Sequence, residues 1–435
     1  MGHRPQNRAV RIAIAAMIVA ATALFGAWGL TALPQPSSAA EPINPHGGYG
    51  ATTDSCSTCH RSHTANGGEL LTDTTSPQSA LCFACHDGTG ASTDVASQFS
   101  DPTVPANDPS TSSFYSHPAT EVSSHTSGQV DEFAGVLNRH SECGDCHNPH
   151  QSGPAAPAKT AGGWTASGDL AGTAGVTGTP PLTWVNPIAY EYELCVKCHS
   201  GYTALLSYAK ESYKKTDKAA EFDPAAASYH PVEAAGKNTT SAMANSLAGG
   251  SLWQFTTAST VRCTHCHGNY RVVGNPPAPE ARLAPHSSRY RGLLIANYRD
   301  RDLKPAFEGY AGSDFALCFL CHSEAPFQDG SKNPRTDTDF GLHGFHLNNI
   351  ADKGSGGLDI DAAGAGQGNA ICAECHYRIH GTALAPWTEN RTNPRGVNFA
   401  PDVGPVAGQT EPIWSLSNKN CTLVCHGKTH EPEGY

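Results

Sequence analysis

One short pattern, Cys-x-x-Cys-His, dictates what this chain can fold around, because it recurs eight times and consumes all sixteen cysteines. The copies are Cys56/Cys59/His60, Cys82/Cys85/His86, Cys143/Cys146/His147, Cys195/Cys198/His199, Cys263/Cys266/His267, Cys318/Cys321/His322, Cys372/Cys375/His376 and Cys421/Cys425/His426. The last has one extra residue between its cysteines and reads C-x-x-x-C-H. Zinc ribbons also use paired C-x-x-C knuckles, and thioredoxin-like sites use a single one. Neither explains a histidine at the next position in all eight copies. Disulfides closed across such short gaps would cross-link nothing distant. The pattern that remains is the attachment signature of c-type haem, in which two thiols bond the porphyrin edge and the adjoining imidazole reaches the iron. The sequence therefore implies eight covalently bound haem c groups.

Composition agrees with a fold organised by cofactors. Only 15% of residues are charged, against a typical ~25%, and there are 44 glycines and 31 prolines. Apolar residues come in short clusters, and long periodic helices or strands are scarce. The expected fold is mostly irregular coil with short α-helices wrapped around a covalent haem chain, and few or no strands. Covalent groups then replace missing side-chain burial and staple segments together, as metals do in small domains. The best helical patterns run from Tyr190 to Lys215 and from Gly312 to Ser323.

The N-terminus carries Arg4, Arg8 and Arg11, an apolar run over 12–33, and Ser38-Ala39-Ala40. This is the layout of a signal peptide spanning 1–40, cleaved after Ala40, although a run of that length can also serve as an anchor. Export suits the chemistry, since haem is attached to such chains outside the cytoplasm. The expected location is extracellular or the cell surface, with the periplasm as alternative, and no integral span is expected after cleavage. The formal charge is −11, so loss of the three leader arginines leaves −14 before any haem propionate is added. Nothing forms the basic stripe of a nucleic-acid binder. Other redox proteins, or metal and mineral acceptors outside the cell, are the expected partners.

The motifs alternate. CSTCHRSH, CGDCHNPH, CTHCHGNY and CAECHYRIH are the odd members, and LCFACH, LCVKCH and LCFLCH follow a leucine. Four tandem two-haem units are expected, over 41–130, 131–241, 242–350 and 351–435. Stretches within 87–130, 151–182 and 353–368 have linker-like composition and are expected to wrap over haems. Asp359 and Asp361 in DIDAAGAG lack the further carboxylates that an EF-hand loop needs.

Beyond the eight motif histidines, thirteen others remain after the leader, and Met243 is the sole methionine past residue 40. Histidine on both faces of nearly every iron follows from that count, and such coordination gives low potentials. The favoured distal ligands are His46, His63, His117, His150, His230, His286, His346, His380 and His430. His63, His150, His380 and His430 sit too close to their own motif histidine to reach the far side of the same ring, so each is expected to serve a neighbouring haem. His286 reads as a displaced counterpart of these in the third unit. His343 competes with His346, while His125, His140 and His265 are expected to be non-ligands.

The alternation of CHxxH sites such as Cys143–His150 with LCxxCH sites such as Leu317–His322 resembles the multihaem c-type cytochromes with doubled CxxCH motifs found in metal-reducing bacteria. The resemblance implies a periplasmic or extracellular electron carrier with closely spaced bis-histidine haems. It also implies a possible homopolymer, a conducting filament in which one subunit's histidine ligates a haem of the next. The competing class is a multihaem oxidoreductase with one open iron that reduces a nitrogen or sulfur oxyanion. A C-x-x-C-Lys motif would mark such an iron, and none occurs.

Overall fold

The computed structural model describes residues 45–47, 49, 54–65, 70–71, 79–100, 114–120, 141–203, 216–269, 284–333, 335–350 and 356–435. The signal peptide, the apolar run, His125, His140 and the proposed unit starts at 41, 131 and 351 lie outside them. Among the described residues no helix is long and apolar enough to cross a membrane.

The architecture is mostly irregular, as composition suggested. The longest described helix is Glu191–His199, nine residues. It begins one residue after Tyr190, as the periodicity indicated, and the remainder of that pattern, 204–215, lies outside the described residues. The second pattern appears as a 3₁₀ turn Gly312–Phe315 running into the helix Ala316–Phe319. The helices Asp54–Ser57, Cys143–Cys146 and Cys372–Cys375 are single turns at a motif.

These turns have a common cause. In an α-helical turn, positions i, i+3 and i+4 share a face. The spacing thus puts both thiols and the imidazole on one side, and the backbone follows. The histidine N–H bonds the carbonyl of the first cysteine at 2.8 Å in His60 and His147, and at 2.9 Å in His267, His322 and His376. Start signals reinforce the turn, because a side chain at its third position reaches back to the backbone N–H ahead of it. Asp145 accepts from Glu142 N–H at 2.7 Å, Glu374 from Ile371 at 2.7 Å, and Glu193 from Tyr190 at 2.9 Å. His265 plays the same part with Nδ1, accepting from Arg262 N–H at 2.9 Å. A capping role accounts for a histidine inside a binding loop.

Strands are few and mostly two residues long, but they join distant parts of the chain. Tyr115–Ser116 pairs antiparallel with Ser287–Ser288. Two small hairpins, Lys159–Thr160 with Gly163–Trp164 and Gly175–Val176 with Trp184–Val185, organise the 151–182 stretch. The second packs its buried Val176 with Val196 and Ala219 beside the helix Glu191–His199. At the C-terminus Ile413–Ser415, Asn420–Cys425 and Lys428–Gly434 form a three-stranded antiparallel sheet. The core is correspondingly divided into four small clusters. Among the described residues three of these take in motif cysteines: Cys318 and Cys372 in one, Cys321 in another, and Cys375, Cys421 and Cys425 in a third.

Candidate functional site

Motif imidazoles are brought opposite histidines from elsewhere in the chain. Ring centroids lie 5.9 to 6.3 Å apart for His86 and His46, His60 and His150, His199 and His117, His147 and His286, and His267 and His380. Two metal–imidazole bonds of ~2.0 Å on opposite sides of one ion, plus the two ring radii, require centroids ~6 Å apart. At the sixth motif His230 is, after burial, the largest electrostatic influence on His322. At the seventh, His376 acts in the same way on His343.

A repeating contact produces the pairs. His46 Nδ1 lies 2.9 Å from the carbonyl of Pro149, next to His150. His117 Nδ1 lies 2.6 Å from the carbonyl of Pro285, next to His286, and its N–H donates to His286 O at 3.0 Å. His230 Nδ1 meets the carbonyl of Ile379, next to His380, and its N–H donates to His380 O at 2.9 Å. Each crossing places two histidines side by side, one for each motif of a unit, and draws one of them from the unit that follows.

The second nitrogen of each ring decides its chemistry. When Nδ1–H is donated to the protein, the Nε2 lone pair is fixed for a metal. His147 gives Nδ1 to Asp169 O at 2.9 Å, His267 to Gly292 O at 2.6 Å and His376 to Gly396 O at 3.0 Å. Neutral side chains serve elsewhere: Thr93 for His86 at 2.9 Å, Ser246 for His322 at 3.1 Å and Gln98 for His286 at 2.9 Å. Crowding by the chain favours the neutral form, the one a metal needs, for His86, His267, His286, His322 and His376. Desolvation, helped by His117, pushes His199 down to about 3 although the residue keeps an exposed edge. Desolvation and the nearby His147 bring His286 to about 3. Desolvation, with His230 adding, takes His322 to about 4.

Cysteines of successive motifs lie beside each other in sequence order. Cys82 and Cys143 share a thiol hydrogen bond, as do Cys195 and Cys263. Burial raises Cys59, Cys146, Cys318, Cys372 and Cys375, and each also feels the next or preceding motif: Cys85, Cys195, Cys266, Cys318 and Cys421 respectively.

Five motifs thus set a second histidine opposite their own at the separation a shared metal needs, and at the sixth and seventh a histidine is the leading electrostatic neighbour. The eighth does not fit in the same way. Cys421 and Cys425 lie on the strand Asn420–Cys425, and His426 with Gly427 forms the two-residue turn to the next strand, at φ 50° and 74°. Such a turn needs positive φ at both positions. His426 is buried, with Nδ1 2.6 Å from Gly368 O and Nε2 2.5 Å from Glu374 Oε1. Burial opposes charge on this ring most strongly, but the bond to Glu374, its charge and the Gly368 carbonyl together raise His426. Asp402 packs against Glu374, and burial with that neighbouring charge pushes it up to about 10.

Of the remaining histidines, His63 is exposed. His346 packs on Phe340 and Phe345 and feels Glu374 and His426. His430 lies 3.0 Å from Glu433 through Nδ1. His343, ranked below His346 by sequence, has His376 as its leading electrostatic neighbour after burial. Sequence reading also missed Gln98, Glu221 and Glu374, and no local signal marks them, because each meets its histidine across more than fifty residues.

Residues 50–91 match the family model described as the doubled CXXCH motif. The chain carries the paired haem-attachment motif of multihaem c-type cytochromes. That motif implies covalently bound haem c and electron transfer, and it covers the first two of the eight sites. Neither the curated proteins nor the solved structures match the chain.

Proposed function

We propose that this cytochrome is an octahaem carrier, passing electrons along low-potential bis-histidine haems in sequence order to acceptors outside the cell. The carrying observation is the set of five histidine pairs at ~6 Å, the separation that two imidazoles on one metal require. Haem supplies the one-electron couple. The chain supplies the rest: thioether anchors, imidazoles on both faces, Nδ1 acceptors that fix the tautomer, and neighbouring motifs close enough for their thiols to meet.

An end-to-end filament is the finer form of this reading. His150, His286 and His380 each face the first motif histidine of the preceding unit. His63 holds the equivalent CHxxH place in the first unit and is exposed. In this reading it serves a haem of an adjoining copy.

A second reading, an oxyanion-reducing oxidoreductase, draws on the eighth motif, whose imidazole is engaged by Glu374 and which differs from the other seven. Low-temperature EPR during a redox titration separates the two. The carrier reading expects only low-spin signals titrating at negative potentials. A high-spin fraction that binds nitrite or cyanide overturns it in favour of the enzyme. Imaging that shows only single molecules, with His63→Ala leaving the spectrum unchanged, overturns the filament.

A further inference from the structure

We propose that Glu221 makes the fifth motif's haem the lowest-potential centre of the chain. The inference rests on the reading of His267 and His380 as ligands of one iron. The Nδ1 partners described for the paired histidines are backbone carbonyls, hydroxyls or an amide, with one exception. His380 Nδ1 lies 3.0 Å from Glu221 Oε2, and that carboxylate is 0% exposed. His430 also meets a carboxylate, but Glu433 is 50% exposed. Glu221 sits on the helix Lys218–Phe222, capped by the Asp217 side chain; His380 is its first polar partner, and Lys218 Nζ, 3.2 Å away, competes with that ring for its charge. The approach is built into the backbone. A Cβ at Gly381 would stand 1.9 Å from Glu221 O, so only glycine lets the segment carrying His380 run this close.

A carboxylate that accepts Nδ1–H draws the proton toward itself and leaves the imidazole a stronger donor to its metal. A stronger donor favours Fe(III) over Fe(II), and burial magnifies the difference between a carboxylate and a peptide carbonyl. Reduction here takes one electron from an adjoining haem, which is oxidised as this iron passes from Fe(III) to Fe(II). The Nδ1 proton stays in the Glu221–His380 bond throughout. Because motifs follow each other in sequence order, the fifth divides the array into four centres before it and three after it. The array then behaves as two pools joined through one reluctant centre.

The test is an EPR-monitored redox titration of the holoprotein. Glu221→Gln keeps the shape and an acceptor but removes the charge, and is expected to move one haem's share of the low-spin signal to higher potential. Lys218→Met removes the competing cation and is expected to move that same share the other way, which also decides the matter if Glu221→Gln fails to fold. Shares that stay put, both variants moving in one direction, or every component moving together would overturn the proposal. His380→Met separates the two layers of the argument. If it leaves every bis-histidine signal intact, the ligand reading has failed rather than the tuning.

Discussion

Seven motifs lie on helical turns and the eighth on a β-hairpin, and the contrast shows how much of haem attachment is backbone geometry. A helical turn brings residues three and four apart to within ~5–6 Å on one face. Along an extended strand the four steps from Cys421 to Cys425 cover ~13 Å, less whatever the bulge between Cys421 and Leu423 takes up. The turns also free Nε2 by occupying Nδ1. In the hairpin both nitrogens of His426 are engaged, one by Gly368 and one by Glu374. The same three residue types thus offer different chemistry on the two backbones.

The sharpest way to break this contrast is to remove the anchors on each side of it. Cys143→Ala with Cys146→Ala is expected to abolish secretion of folded protein, because hairpins and clusters around this turn have little other core. Cys421→Ala with Cys425→Ala is expected to leave a folded, low-spin protein with one haem fewer by intact mass. If the wild-type mass already shows seven haems, the eighth motif carries none and the proposed count of eight falls. A smaller effect is expected from His286→Met, which should convert one haem to histidine–methionine ligation and raise its potential. An unchanged titration would remove His286 from the set. Smaller again is Glu193→Gln, which weakens the bonds to the Ala189 and Tyr190 N–H groups at 2.6 and 2.9 Å. A loss of about 1–2 kcal/mol in denaturant unfolding is expected for such a cap. No loss would mean the haem alone fixes the turn.

The mildest test concerns pH. Glu233 is pushed up to about 7 from 4.5, first by burial and then by Asp223 and Glu193, against a hydrogen bond from Thr179. A carboxyl raised in the folded state binds a proton that the unfolded chain releases. Its contribution is therefore complete below pH 4.5 and is lost as pH rises to about 7. Thermal scans of Glu233→Gln should show a flatter profile across that window, and an identical profile would place the group among the indifferent ones.

The sequence made the motifs and the largely irregular fold legible, because both show in residues that are neighbours along the chain. What escaped it is long-range. Two-residue strands such as Tyr115–Ser116 carry no alternation to detect, and their partner lies more than 170 residues away. The hairpins in 151–182 looked like linker for the same reason, since glycine and proline mark turns without saying what the turns pack against. The choice between His343 and His346 turns on which face of the short helix His343–Asn348 meets His376, and neither histidine's neighbours in sequence indicate that. The Asn420–Cys425 strand escaped because a motif that elsewhere nucleates a turn here follows its sheet.

The histidine crossings make the array behave like interlocked tiles. In the proposed two-motif units side chains are lent both ways, His150, His286 and His380 backward and His117 forward, so no such unit would be complete alone or excised without stripping a neighbour. A whole unit inserted between two others would, however, find both its lender and its borrower in place. Length in such a chain can change by whole units in the interior, whereas the two ends are fixed parts that must be solved separately.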